Sequence, residues 1–332
     1  MLKLLVTGGL GFIGSNFIKK ILIEKKDIQI VNVDAELEGS NLKNTSEIQD
    51  SQNYEFVKGN ITNKNLMDKM IEKCDAVVNF AAESFVDRSI LDANPFLVSN
   101  IRGAYTILDI ITKQKKRMIQ ISTDEVFGSL SEETATENSK FNPSSPYAAT
   151  KASAELLINS YSITHNSDVI ITRCTNNYGP HQFPEKLIPK IILLANQDKK
   201  IPIYGNGKNI RDWIHVDDHC EAVFSVLNNG KKGESYNISA NNEIDNLTIV
   251  KKILEIMGKK EDLIEFVEDR PGHDFRYSMS SKKISKELNW KTKYTFDKGL
   301  EDTINWYLNN LEKLDNTSTI ISDQTPWRNS NN

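Results

Sequence analysis

The amino-acid sequence predicts an α/β protein, a doubly wound parallel sheet with a smaller C-terminal α/β domain. Three observations carry this reading. Short apolar runs alternate with helical stretches up to about residue 180. A glycine-rich turn joins the first apolar run to the first helix. Beyond Asn177-Tyr178-Gly179-Pro180 the pattern breaks into shorter pieces. Strands alternating with helices build a parallel sheet covered on both faces.

The apolar runs at 4–6, 28–33, 54–57, 76–80, 118–121 and 169–171 read as buried strands. The clearest helix between them spans 95–112. Its apolar residues Leu97, Ile101, Ala104, Leu108 and Ile111 recur at the spacing of one helix face. Tyr147 and Lys151 lie in a helix that begins just after Pro146. In the later half Pro184, Pro189, Pro202 and Gly205-Asn206-Gly207 punctuate the chain. The expected division is residues 1–180, residues 181–311 with some segments returning to the first unit, and a polar, aperiodic tail over 312–332.

Composition fits a globular chain: of 332 residues, 39% are hydrophobic and 26% charged, with a net charge of −4. Lysines and arginines are scattered, which argues against a nucleic-acid partner. No apolar run approaches the ~18 residues of a membrane span, and the first residues are too short for a secretory leader. Cys74, Cys174 and Cys220 are odd in number and far apart, so a cytoplasmic setting without disulfides is expected.

Gly8-Gly9-Leu10-Gly11-Phe12-Ile13-Gly14 follows the first strand and opens a helix. Such a turn lets backbone approach a pyrophosphate, and the helix N-terminus presents free N–H groups to it. Asp34 stands twenty residues past Gly14, at the end of the second strand. A carboxylate there accepts from both ribose hydroxyls and repels a 2′-phosphate, so NAD is expected rather than NADP. The bland alternative is an ordinary strand–helix turn followed by a solvated loop acid.

Residues four apart share a helix face, so Tyr147 and Lys151 can act together. A nearby ammonium favours phenolate, which can take a hydroxyl proton as hydride leaves. Tyr54/Lys58, Tyr204/Lys208 and Tyr294/Lys298 have the same spacing. Only Tyr147 follows a polar cluster at a strand end. That cluster is Ser122-Thr123-Asp124-Glu125, just after an apolar strand. Adjacent carboxylates repel, and their pKa values can separate into one acid and one base, as elimination of water requires. The ordinary reading of two neighbouring acids is a solvated turn.

These motifs, together with Ala81-Ala82-Glu83-Ser84, Asp87-Arg88-Ser89, Arg211-Asp212-Trp213 and Arg270-Pro271-Gly272-His273-Asp274, make the chain resemble the extended short-chain dehydrogenase/reductases. Within them it is similar to the dTDP-glucose 4,6-dehydratases, to about residue 310. The resemblance implies a Rossmann-type fold, bound NAD, and a hydro-lyase cycle of C4 oxidation, loss of water across C5 and C6, and reduction at C6. It implies that Tyr147, Lys151 and Thr123 serve the oxidation, that Glu125 takes the C5 proton, and that Asp124 protonates the leaving hydroxyl. It adds Asn60, Ile61, Ala81 and Ala82 to the cofactor residues Gly8, Gly11, Phe12, Ile13, Gly14, Asp34, Tyr147 and Lys151. Around the nucleotide sugar it places Ser84, Asn176, Lys186, Leu187, Pro202, Tyr204, Arg211, Asn246, Arg270 and His273. Arg211 and Arg270 suit phosphate oxygens, and Tyr204 offers an aromatic face to a base. It also implies a homodimer formed through a four-helix bundle.

The chain departs from that family at Phe85, Phe127 and Glu38, where histidine, tyrosine and tyrosine are usual, and Asn60 replaces an aspartate. Phe85 bears on which sugar nucleotide is taken: dTDP-, UDP-, CDP- or GDP-linked. A 4-epimerase or decarboxylase is the sister reading, opposed by the Asp124/Glu125 pair. A non-enzymatic NAD-binding regulator is opposed by the presence of both Tyr147 and Lys151. His215 and His219 have a metal-like spacing, but nothing nearby completes a site, so no metal is expected. Asp217 or Asp218 is expected to cap the helix that follows.

Overall fold

The computed structural model describes residues 1–313 and Trp327. The rest of the expected tail lies outside the described residues. The strands are β1 (Leu2–Thr7), β2 (Ile28–Asp34), β3 (Tyr54–Lys58), β4 (Ala76–Asn79), β5 (Arg117–Thr123), β6 (Val169–Cys174), β7 (Asn176–Tyr178), β8 (Ile201–Tyr204), β9 (Ile210–His215), β10 (Ser235–Ile238), β11 (Glu243–Asp245) and β12 (Ile264–Val267).

Seven of them form one parallel sheet in the order β10-β6-β5-β4-β1-β2-β3. Leu4 pairs with Ile30 on one side and with Ala76 on the other. The chain runs outward from β1 to β3, then crosses back to β4. A crevice opens at that reversal, beyond the carboxyl ends of the strands. The outermost strand, β10, comes from the later half and pairs Ser235 with Ile171. Smaller sheets β11-β9-β7 and β12-β8 complete the molecule.

Successive strand residues point to opposite faces, so a strand buried on both sides must be apolar throughout. Leu4 and Val6 enter a core with Phe17, Ile18, Ile119 and Val223. Leu5 enters the other, with Val31, Val77, Ile107, Leu108 and Ile158. A third core, around Ile191, Ile203, Trp213, Ile253 and Leu300, holds the later elements together. Fully burying one such side chain stabilises the fold by roughly 1.5–3 kcal/mol.

Three expectations are corrected. β3 is not buried: it is the sheet's edge strand, half exposed, with Glu55 and Lys58 exposed. The stretch 95–112 is not one regular helix. Residues Leu97–Gly103 form a π-turn, and a regular helix follows over Ala104–Gln114. Leu97 is therefore 48% exposed rather than part of the buried face. At Gly103 a Cβ would lie 2.4 Å from Ile61 Cδ1, so the backbone passes close to the 60–61 loop. The cap of helix Val216–Asn229 is neither Asp217 nor Asp218. His215 Nδ1 accepts from Asp217 N at 3.3 Å, while Asp218 accepts from the backbone N–H groups of Lys293 and Tyr294.

Candidate active site

The carboxyl ends of β1, β2, β4, β5 and β6 line one cleft. At its floor Gly8 has φ +72°, and a Cβ there would lie 2.6 Å from Ala81 N. A Cβ at Gly14 would lie 2.4 Å from Gly8 O. Neither position tolerates a side chain. At Gly11 a Cβ would touch only Gly8 O, at 3.4 Å, and the backbone edge is open. Gly11 caps helix Phe12–Glu24 without a side-chain hydrogen bond, which leaves its first N–H groups to meet an anion. Phe12 and Ile13 line the same mouth.

Asp34 ends β2 and is 5% exposed. Its Oδ2 accepts from Leu10 N at 3.0 Å, and its Oδ1 from Glu36 N and Ser40 Oγ at 2.8 and 3.0 Å. The carboxylate thus fixes the glycine turn and its own loop while facing the cleft. Asn60 Oδ1 accepts from Thr62 N and Oγ1, leaving its amide nitrogen as the group that can donate. Ile61, Ala81 and Ala82 supply the apolar wall. The residues present fit a dinucleotide: a backbone cradle, a carboxylate at the end of the neighbouring strand, and an apolar slot.

β5 delivers the reactive cluster. Thr123 caps a short helical turn, Asp124–Phe127, accepting from Glu125 N at 3.3 Å. Burial first, then the neighbouring Glu125 charge, pushes Asp124 up to about 8. Its Oδ1 accepts from Thr123 Oγ1 at 3.1 Å, while Oδ2 is buried with no partner. Glu125 is also raised by burial, but Arg270, Lys186 and Arg211 pull it back. Both carboxyls are thus raised by burial, and the cations act on Glu125 against that rise.

Tyr147 sits at the start of helix Pro146–His165, which Ser145 caps through Ala148 N at 3.1 Å and Pro146 opens. The tyrosine is 8% exposed; burial, then Glu125, holds its hydroxyl well above the usual range, with Thr123 opposing. Lys151 lies one turn on, but its Nζ donates to Ile121 O at 2.7 Å. Burial draws its ammonium down to about 8. Both side chains line the cleft, but the lysine is anchored to the strand, and the expected pull toward phenolate is corrected: burial raises the tyrosine hydroxyl instead.

Ser84, Asn176 and Lys186 line the cleft beside these groups. Lys186 Nζ donates to Ser84 O at 2.8 Å. Arg211, Arg270, Tyr204 and His273 form an adjoining cluster. Arg270 Nη1 and Tyr204 Oη both meet Asp87, at 2.9 and 3.2 Å, and His273 lies edge-on to Tyr204 with ring centroids 6.3 Å apart. Burial, then Arg270, draws His273 down to about 4. Arg270 Nε is buried with no partner, a donor held in reserve. Arg211 has both Nη atoms on the carbonyls of Ile210, Phe275 and Asp274. Asn246 opens its helix, and its Oδ1 is buried and unpartnered. Pro202 lies in β8, and Leu187 packs on the third core. Neither lines the cleft.

Sequence reasoning missed Cys174, Thr175, Asn177, Gln182 and Phe183 as cleft residues. Cys174 ends β6 and the others follow it, the same signal that drew attention to β5. Among the described residues no group of three or more His, Cys, Asp or Glu is placed to hold a metal. His219 is fully buried, bonds Asn177 through Nδ1 at 2.9 Å, and is drawn down to about 3 by burial. No helix among the described residues is long and apolar enough to cross a membrane.

A glycine cradle that fits a dinucleotide, opening onto a tyrosine, a lysine and two adjacent carboxyls, defines an extended short-chain dehydrogenase/reductase. More closely, the chain belongs to the GDP-mannose 4,6 dehydratase family, whose model matches residues 5–303. It is 46% identical over 312 residues to the low-salt glycan biosynthesis protein Agl12 of Haloferax volcanii, covering 94% of this chain and all of that one. It is 42% identical to a dTDP-glucose 4,6-dehydratase of Streptomyces niveus, over 93% of this chain and 94% of that one. The crystal structure of dTDP-glucose 4,6-dehydratase from Bacillus anthracis in complex with NAD superposes with a TM-score of 0.89 at 45% identity, covering 94% and 98% of the two chains.

Proposed function

We propose that this protein is an NAD-dependent hydro-lyase that converts dTDP-glucose to its 4-keto-6-deoxy product, in the service of deoxysugar synthesis. The observation that carries the reading is the Asp124/Glu125 pair. Asp124 is pushed up to about 8, and the adjoining Glu125, raised by burial, is the one of the two that Arg270, Lys186 and Arg211 draw back toward carboxylate. Epimerisation and simple oxidation have no use for such a pair.

NAD, held along Gly8, Gly11, Gly14, Asp34 and Asn60, would supply the hydride acceptor for C4 and the hydride needed at C6. Tyr147 receives the C4 hydroxyl proton as phenolate, the form that the positive charge of a bound nicotinamide would favour over the raised hydroxyl of the site without it. Lys151 holds the start of its helix against β5 and places positive charge beside the cofactor site. Glu125 takes the C5 proton once the 4-keto group has acidified it, and C5 is reprotonated when hydride reaches C6. Asp124, protonated at neutral pH, delivers its proton to the departing C6 hydroxyl. Residues 1–180 supply the cofactor half in this reading, and 181–311 most of the sugar-nucleotide half. Ser84, Asn176, Lys186, Tyr204, Arg211, Asn246, Arg270 and His273 surround the nucleotide sugar, with Leu187 and Pro202 positioning their neighbours. Related proteins carrying the dTDP-glucose 4,6-dehydratase name support the thymidine nucleotide.

A homodimer is part of the proposal. Tyr105, Leu156 and Ile163 are 42%, 61% and 84% exposed on helices Ala104–Gln114 and Pro146–His165, the two expected to form the bundle. Three buried, unpaired thiols agree with a cytoplasmic setting. Incubating the purified protein with dTDP-, UDP-, CDP- and GDP-glucose and weighing the products tests the function. Loss of water from dTDP-glucose is expected. No mass change with any of the four overturns it.

A further inference from the structure

Arg88 stands where two loops meet across the mouth of the cleft. Its guanidinium pairs with Glu38, in the loop after β2, and with Glu185, just before helix Leu187–Asn196. The first loop carries Asp34 and is tied to the glycine turn, because Asn41 N donates to Leu10 O at 3.1 Å. The second carries Lys186, whose ammonium faces the reacting centre from the other wall.

Phe85 lies beneath this bridge and is only 6% exposed. The Arg88 guanidinium sits 4.4 Å from its ring centroid and the Lys186 ammonium 4.8 Å. Phe183 meets it edge-on at 5.3 Å. On the first loop a Cβ at Gly39 would lie 3.1 Å from the same ring. Charge and ring contacts thus run together from residues 38–39 to residues 183–186. Leu37, Glu38 and Gly39 line one wall of the cleft, and Phe183 and Lys186 line another. Those walls cannot part without breaking the bridge.

We infer that the Glu38–Arg88–Glu185 bridge is a strap across the cofactor cleft that slows escape of the nicotinamide dinucleotide. Arg88 is a positioning residue in this role. The inference rests on the NAD reading above. The cycle it serves consumes no net NAD, so a strap that retains the cofactor favours turnover without reloading. The two legs differ in strength. The Glu38 side chain is 56% exposed and its leg is screened by salt, whereas Glu185 is only 12% exposed and its leg is shielded.

The test is the rate at which bound NADH leaves when the loaded protein is mixed with excess NAD⁺, followed by nicotinamide fluorescence. Arg88→Met should release NADH about tenfold faster, the loss of roughly one partly buried ion pair. Arg88→Lys should recover part of the difference. Glu38→Gln alters an exposed side chain and does not threaten folding. It should release faster than wild type at low salt and lose the acceleration that added sodium chloride causes in wild type. Release at the wild-type rate in both Arg88→Met and Glu38→Gln overturns the strap alone. A protein that neither carries nor takes up NAD overturns the functional reading and the strap with it.

Discussion

Thr123 gives its hydroxyl hydrogen to Asp124 Oδ1 at 3.1 Å, and the other oxygen of that carboxyl is buried without a partner. A single hydrogen bond does not offset the burial of a full charge. The carboxyl therefore keeps its proton up to about pH 8.

That proton is visible in stability. An aspartate in an unfolded chain titrates near ~3.9. Between there and about 8 the folded state binds the extra proton, so stability falls as pH rises through that window and levels off above it. Asp124→Asn cannot titrate. The difference in unfolding free energy between variant and wild type should grow by up to about 1.4 kcal/mol per pH unit across the window. Urea titrations between about pH 4 and pH 8 measure it. A constant difference means that Asp124 ionises normally.

Glu125→Gln keeps the shape of the side chain and removes a base. Oxidation at C4 depends on Tyr147 and should survive, while elimination slows by the ~10²–10⁴-fold typical of a lost general base. Bound NADH should build up after dTDP-glucose is added, seen as nicotinamide absorbance, with little product. Tyr147→Phe should show neither NADH nor product. Both variants stalling with oxidised cofactor would assign the carboxylate to the wrong step.

The two arginines near the sugar nucleotide are not equivalent. Arg270 has a buried Nε to spare, whereas the Nη atoms of Arg211 are occupied by backbone carbonyls. Arg270→Ala should weaken binding of dTDP by ~1.5–3 kcal/mol, about ten- to a hundredfold, as a lost charge-assisted hydrogen bond does. Arg270→Lys should not restore it, because a lysine cannot reproduce the planar fork. Titration calorimetry decides. Full affinity in Arg270→Lys would show that only the charge matters.

One buried ion pair lies behind the catalytic helix. Arg173 of β6 donates to Glu155 through Nε and Nη2, at 2.9 and 2.7 Å, with Glu155 wholly buried. Glu155→Gln leaves the guanidinium buried without its counter-charge and should lose ~3–5 kcal/mol of stability. The midpoint of chemical unfolding reports it. A loss below about 1 kcal/mol would mean that water or another acceptor replaces the carboxylate.

Much of this arrangement was legible before any coordinates. The central strands β1, β2, β4, β5 and β6 follow from apolar runs, because a sheet covered on both faces leaves little polar alternation to confuse the period; β3, at the edge, is half exposed. The glycine turn and the reactive cluster follow from their positions at strand ends. What could not be read was whatever depends on tertiary neighbours. The apolar spacing of Leu97 is helical, yet the π-turn rotates that residue outward. Lys151 is four residues from Tyr147, but only the packing of its helix on β5 shows that its ammonium reaches Ile121 O. The Asp87 junction of Arg270 and Tyr204 joins residues up to 183 positions apart, and no local pattern announces it.

The placement of β10 bears on how the molecule is made. During synthesis β6 emerges early, yet its outer edge stays open until residues Ser235–Ile238 have left the ribosome. For that interval the nascent sheet carries an unpaired row of N–H and C=O groups, a template for joining a neighbouring chain. A polypeptide cut short between β6 and β10 would hold every residue of the glycine cradle and the Tyr147 helix and still present that sticky flank. The edge is sealed only when the later half returns to it.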